Sequence, residues 1–274
     1  MTNNNETKKD VAEEKSNGKP NVGFYALTGC QGCLLSIIFN EDDILDIVNA
    51  INIKSFPFIS ELKVEPESFD VIFMEGLVAD NHDVETLKRL REKTKILIGI
   101  GACACTGGVG FYRNYIPRAN YEYLTYNKEE LIKDRQPMPL DSFVKVDLFI
   151  PGCPPEKEDV KRFIKNLLLD KRPVDNNKPV CYECKLNKNK CLLLDGKPCL
   201  GTFTAGGCNS VCVNGGMECW GCRGPTTNIE LDINDPEMFN IWKCDKELVK
   251  DRLKTFAGLK FKTVSGEIKN DSNY

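Results

Sequence analysis

Histidine is almost absent from this chain of 274 residues, where His82 stands alone. One imidazole removes most zinc-enzyme and haem readings, and any triad that needs a histidine must use this side chain. Long apolar runs are missing too, and none approaches the roughly 18 residues that span a bilayer. Nor is there an excess of positive charge. With 37 Lys+Arg against 40 Asp+Glu the net charge is −3, which argues against nucleic acid or an anionic membrane as a partner. The opening MTNNNETKKDVAEEKSNGKP has no apolar h-region, twin arginine or cleavage site. Residues 1–20 therefore read as a disordered leader, and the absence of an export signal implies a reducing cytoplasm, where disulfides are rare.

What the chain does hold is cysteine, fourteen in all. In a reducing compartment these are metal ligands or buried, inert thiols. Eight fall between Cys181 and Cys222, in a stretch rich in Gly, Lys and Asn with little hydrophobic periodicity. Such a segment is expected to lack the apolar surface to order itself and to need coordination to tie it down.

The rest alternates strand and helix signals. Val22–Leu27, Phe69–Glu75, Lys95–Ile100 and Val144–Ile150 are apolar runs of strand type, and Phe56–Leu62 is a weaker one. Between them, LLSIIFNEDDILDIVNAI has helical spacing with an interruption near Asn40, while 83–92 and 156–169 read as helices. Residues 105–143 look loop-rich, and 246–256 predict one more helix. This order predicts an α/β fold with an open parallel sheet in residues 21–175, then a Cys-rich region over 176–274 ending in a helix and tail.

Cysteines follow three of these strands. Cys30 and Cys33 lie in TGCQGC, Cys103 in GACACTGG and Cys153 in PGCPP. Ligands of open parallel sheets bind beyond the carboxyl ends of the strands, so three strand ends deliver four thiols to one crevice. Four thiolates suit a 4Fe–4S cluster. Random buried cysteines acting as small hydrophobes would not fall on glycine-flanked strand ends each time. Cys105 competes with Cys103 and reads as packing, and His82 reads as a solvated histidine at a helix entrance. In the later stretch, Cys181/Cys184 and Cys219/Cys222 have CxxC spacing, with Cys191, Cys199, Cys208 and Cys212 between them. Eight cysteines make two more four-cysteine sites, for which paired zinc knuckles are a rival reading. Cys244 is left over as structural, and Trp220 is expected to pack over one site.

TGCQGC, Met74-Glu75-Gly76, GACACTGG and GCPP resemble the small-subunit pattern of nickel–iron hydrogenases, and more loosely the 20-kDa subunit of respiratory complex I, which lacks a long Cys-rich region. The resemblance implies a flavodoxin-like domain whose proximal 4Fe–4S cluster is held by Cys30, Cys33, Cys103 and Cys153 and faces the active site of a separate large subunit. In the common respiratory subunits a histidine begins the distal site and a proline leaves the medial site with three irons. Here Cys181 takes the first slot and Cys212 fills the second. That implies a distal 4Fe–4S site of Cys181, Cys184, Cys191 and Cys199, and a medial one of Cys208, Cys212, Cys219 and Cys222.

GFYALTxC, GCPPEK, CxEC, GxPCLG and GCRG look like the delta subunits of cytosolic sulfhydrogenases, which are bidirectional and NADP-linked. The resemblance covers about residues 20 to 225. It implies an electron-transfer subunit that is not catalytic alone. The nickel–iron centre, FAD and NADP would sit in a large subunit and in iron–sulfur and flavin partners. Glu75 is either a proton-relay neighbour of the cluster or a strand-end cap. Two alternatives stand: a hydrogenase serving a heterodisulfide reductase or a deazaflavin, and a zinc-stabilised interaction protein without redox function.

Overall fold

The computed structural model describes residues 18–38, 44–58, 65–117, 120, 135–169, 171, 178–227, 243–261, 264 and 266–267. Most of the expected leader and much of the expected loop lie outside them.

Five strands, β1 (Asn21–Ala26), β2 (Asn52–Ser55), β3 (Phe69–Glu75), β4 (Thr94–Ile100) and β5 (Leu148–Ile150), form one sheet in the order β2-β1-β3-β4-β5. Every neighbouring pair is parallel. This is the doubly wound, flavodoxin-like order, with its topological switch between β1 and β3. Around it run α1 (Gly32–Ile38), α2 (Ile44–Ala50), α3 (Asn81–Lys93), α4 (Gly101–Thr106) and α5 (Lys157–Leu168). Later in the chain come α6 (Val180–Leu186), α7 (Val211–Asn214) and α8 (Lys246–Ala257).

The central strands are near-continuous apolar runs because both faces are covered. Phe24, Phe73 and Ile98 pair in register across β1, β3 and β4. They bury one face with Ile37 of α1, Ile47 of α2 and Ile164 of α5. Ile72, Met74 and Leu97 point the other way, against Leu87 and Leu90 of α3. Helix starts are set by carboxylates: Asp80 accepts from the amide of Asp83, Glu156 from those of Glu158 and Asp159, and Asp245 from those of Glu247 and Leu248.

Four expectations change. The second strand is Asn52–Ser55, ahead of the expected Phe56–Leu62, of which only residues 56–58 are described. Its polar Asn-Ile-Lys-Ser run suits an edge strand, pinned by the Asn52 Nδ2 bond to Asn21 Oδ1 at 2.7 Å. Phe56 instead stacks on Phe24 with ring centroids 4.4 Å apart, and residues 59–64 lie outside the described ones. β5 is shorter than Val144–Ile150, because Asp147 already turns its carboxylate to the Leu97 amide at 2.9 Å. The expected loop from 105 contains a 3-10 helix, Val109–Tyr115. Finally, the Cys-rich stretch has a core. Val180, Leu193, Leu200, Phe203 and Val213 cluster with Val249, Leu253 and Ala257 of α8. The stretch is poor in apolar residues, and α8 supplies the missing surface. The same helix touches the sheet side, where Thr106 Oγ1 donates to the Phe256 carbonyl at 2.6 Å. Among the described residues no helix is long and apolar enough to cross a membrane.

Candidate metal centres

The carboxyl ends of β1, β3, β4 and β5 lie side by side, and each is followed at once by a group of interest. Cys30 and Cys33 come after β1, Glu75 ends β3, Cys103 lies in the first turn of α4 and Cys153 follows β5. Cys33 is buried, Cys103 half-buried, and Cys30 and Cys153 exposed, so the crevice is open on one side. All four sulfurs are within electrostatic reach of one another. Burial, then the charge of Glu75 and of the other three cysteines, pushes the Cys33 thiol far up. Burial, then Cys153 and Cys30, pushes Cys103 up to about 11. Burial and mutual charge disfavour the thiolates of Cys33, Cys103 and Cys153, a cost that a bound cation would offset.

The backbone fits a bulky group here. At Gly101, with φ +88°, a Cβ would lie 2.2 Å from Cys33 Sγ; at Gly108, with φ +54°, it would lie 2.8 Å from Cys103 Sγ. Only glycine leaves room for those sulfurs. Glu75 is 2% exposed and caps α1. Its Oε2 accepts from the Leu34 amide at 2.8 Å and its Oε1 from the Cys33 amide at 3.3 Å, while burial raises its carboxyl. Cys105 faces away, with its thiol 3.6 Å from the Gly99 carbonyl, the geometry of a packed side chain. His82 is exposed in the first turn of α3.

The other eight cysteines gather in two abutting groups. Cys181 and Cys184 sit on α6, within electrostatic reach of Cys191 and Cys199. Cys181 Sγ is 3.4 Å from Thr202 Oγ1. Cys208, Cys212, Cys219 and Cys222 line a largely apolar cavity of about 670 Å³ that also touches Cys153 and Trp220. Burial and then the charge of Cys208 push Cys222 up to about 12. Trp220 does border this group, and Arg252 of α8 stacks on its ring at 3.8 Å. Cys244 is buried in the apolar cluster around α8. None of the fourteen cysteines, all among the described residues, forms a disulfide. Among those residues no three His, Cys, Asp or Glu side chains close on one point as ligands of a single ion.

Contacts between the groups are direct. The Cys219 amide donates to Cys199 Sγ at 3.3 Å, and Cys153 lines the same cavity as Cys208, Cys212, Cys219 and Cys222. Sequence reasoning missed two side chains that shape these junctions. Glu183, between Cys181 and Cys184 in chain order, accepts from the amides of Gly207 at 2.5 Å and Ser210 at 3.2 Å. Arg223, buried beside Cys222, pairs with Asp159 of α5. No local pattern marks a partner that far along the chain. A basic residue following a CxxC pair is the only available signal.

Comparison with known proteins fits this geometry. The sequence profile of the NADH ubiquinone oxidoreductase 20 kDa subunit family matches residues 30–167. The sulfhydrogenase 2 subunit delta of Pyrococcus furiosus is 38% identical over 241 residues, covering 86% of this chain and 98% of that one. A subunit of the F420-non-reducing vhu hydrogenase of Methanocaldococcus jannaschii is 34% identical, covering 78% and 85%. Among solved structures, an NAD+-reducing NiFe-hydrogenase in its H2-reduced state superposes with a TM-score of 0.50 at 26% identity, covering 57% of this chain and 94% of that one. An actinobacterial-type NiFe-hydrogenase from Ralstonia eutropha H16, at 16% identity and a TM-score of 0.57 over 76% of this chain and 79% of its own, shares the fold. The chain belongs to the NADH ubiquinone oxidoreductase 20 kDa subunit family and, within it, to the small subunits of hydrogenases of the nickel–iron type.

Proposed function

We propose that this chain is the electron-carrying small subunit of a cytoplasmic, bidirectional nickel–iron hydrogenase, relaying electrons between a large subunit that handles H2 and flavin- and NADP-binding partners. The observation that carries the reading is the adjacency of three four-cysteine groups: the Cys219 amide donates to Cys199 Sγ at 3.3 Å, and Cys153 borders the cavity lined by Cys208, Cys212, Cys219 and Cys222. Three 4Fe–4S clusters, when bound, would supply one-electron redox steps. Cys30, Cys33, Cys103 and Cys153 would hold the proximal one, Cys208, Cys212, Cys219 and Cys222 the medial one, and Cys181, Cys184, Cys191 and Cys199 the distal one. On this reading residues 21–175 form the flavodoxin-like part and 176–274 the Cys-rich part.

The protein's own work is to hold and tune. Gly101 and Gly108 make room for sulfurs of the proximal group. Glu75 fixes the start of α1, and with it Cys33. Apolar surface around the medial group keeps water away and so bears on its potential. The exposed Cys30 and Cys153 put the proximal group at the surface that a large subunit would cover.

A second reading keeps the wire and changes the acceptor. The 34% identity to an F420-non-reducing hydrogenase subunit motivates this reading, with an acceptor such as a heterodisulfide reductase in place of NADP. Anaerobic purification of the tagged chain with its natural partners separates the two. Nickel, flavin and H2-dependent NADP+ reduction in the purified complex are expected. Nickel without a flavin, NADP-binding partner would move the acceptor to the second reading, and absence of nickel altogether would overturn the hydrogenase assignment of the complex.

A further inference from the structure

Arg223 lies where the proximal and medial cysteine groups meet, and two nitrogens of its guanidinium are committed. Nε donates to the Gly206 carbonyl at 2.8 Å and Nη1 to the Pro151 carbonyl at 2.8 Å. Nη1 also pairs with Asp159 Oδ2 at 2.9 Å, with side-chain exposures of 6% and 8%. Each contact reaches a different cysteine-bearing segment. Gly206 leads into Cys208, Pro151 into Cys153, and Arg223 itself follows Cys222. Asp159 anchors the fork to α5, where Arg162 also pairs with it. A planar fork binding two carbonyls and a carboxylate fixes orientation as well as position, which a lysine cannot do. Burying this ion pair in place of apolar side chains gains little stability, so a specific geometric role accounts for it better than folding energy does.

The segment it fixes brings Cys153 to the edge of the cavity lined by Cys208, Cys212, Cys219 and Cys222. The corresponding link between the medial and distal groups, Cys219 amide to Cys199 Sγ, has its own support, because the neighbouring Leu200 amide donates to the Cys219 carbonyl at 2.9 Å. That second junction does not involve Arg223.

We infer that Arg223, held by Asp159, is the positioning residue of the proximal-to-medial electron step, clamping the Cys153 and Cys222 segments side by side so that one electron crosses between them. The step makes and breaks no bond and moves no proton. One group is oxidised as the other is reduced, and the hydrogenase reaction supplies the electrons. The guanidinium also sets a buried positive charge beside Cys208 and Cys222, balanced by Asp159. The inference rests on the three-cluster reading above.

The test is electron paramagnetic resonance of the intact H2-reduced complex carrying Arg223→Gln, Arg223→Lys or Asp159→Asn, with iron counted in each sample. Iron in the wild type decides the three-cluster reading, and the variants decide this inference. Arg223→Gln with full iron should weaken the magnetic interaction between proximal and medial clusters, leave the medial–distal interaction unchanged, and slow medial reduction at least tenfold in rapid-freeze samples. Arg223→Lys, which keeps the charge without the fork, should restore the potential and not the interaction. Asp159→Asn leaves the cation unbalanced and should favour the reduced medial cluster about tenfold, about 59 mV for a one-electron couple. If Arg223→Gln does not assemble, Asp159→Asn decides alone by that shift. Full iron with unchanged proximal–medial interaction and unchanged medial potential would overturn the inference.

Discussion

Replacing Gly101 with alanine should remove the proximal centre while leaving the other two. A Cβ there would sit 2.2 Å from Cys33 Sγ, and the position has φ +88°. The backbone penalty for a non-glycine residue in the left-handed region is about 1–2 kcal/mol. The steric penalty adds to it, because Cys33 is buried and its sulfur must move by most of an ångström; overpacking of this kind costs about 1–3 kcal/mol. Gly216 supplies the control. It has φ +79° and nothing within 4 Å of a built Cβ, so Gly216→Ala carries only the backbone penalty of about 1–2 kcal/mol. Thermal unfolding should show the larger loss for Gly101→Ala. Iron analysis should show about four irons fewer per chain for Gly101→Ala and no loss for Gly216→Ala. Equal iron in both variants would refute the argument that glycine is there to admit a cluster-bearing sulfur.

Cys103→Ser should likewise cost about four irons, whereas Cys105→Ser should keep them and lower stability by about 1 kcal/mol through a buried hydroxyl beside the Gly99 carbonyl; iron counts and unfolding midpoints check both. Stripping iron with a chelator should raise hydrogen exchange in α6, α7 and their cysteine loops while β3 and β4 stay protected, since the apolar cluster on α8 holds only part of the Cys-rich stretch. The Asp70 carboxyl is held below its usual range, first by its bond to Lys95 and then by the Asn21 amide. Its contribution is present above the ordinary carboxylate pKa of about 3.9 and is lost as pH falls through the lower folded value. Asp70→Asn should therefore flatten the acid limb of a stability–pH curve, and only slightly, because Lys95 is 79% exposed.

Much of the fold was legible because covered parallel strands must be apolar throughout, and β1, β3 and β4 announce themselves that way. β2 was misplaced because an edge strand tolerates Asn, Lys and Ser, so its pattern looks like a loop. β5 was overextended because Val144 and Val146 are apolar for packing against the α3 side of the sheet, not for pairing. The cysteine groups could be read because glycine-flanked thiols after strand ends have few other uses. Their junctions could not. Arg223 and Pro151 are 72 residues apart, and only the folded chain shows that the guanidinium closes that distance. The apolar cluster of the Cys-rich stretch was hidden for the same reason, since Val249, Leu253 and Ala257 of α8 complete it.

The central claim is that three cysteine groups hold three iron–sulfur clusters in one chain. Iron and acid-labile sulfide per polypeptide, measured on anaerobically purified protein, test it most directly. The account predicts about twelve of each. About two zinc ions with little iron would contradict it.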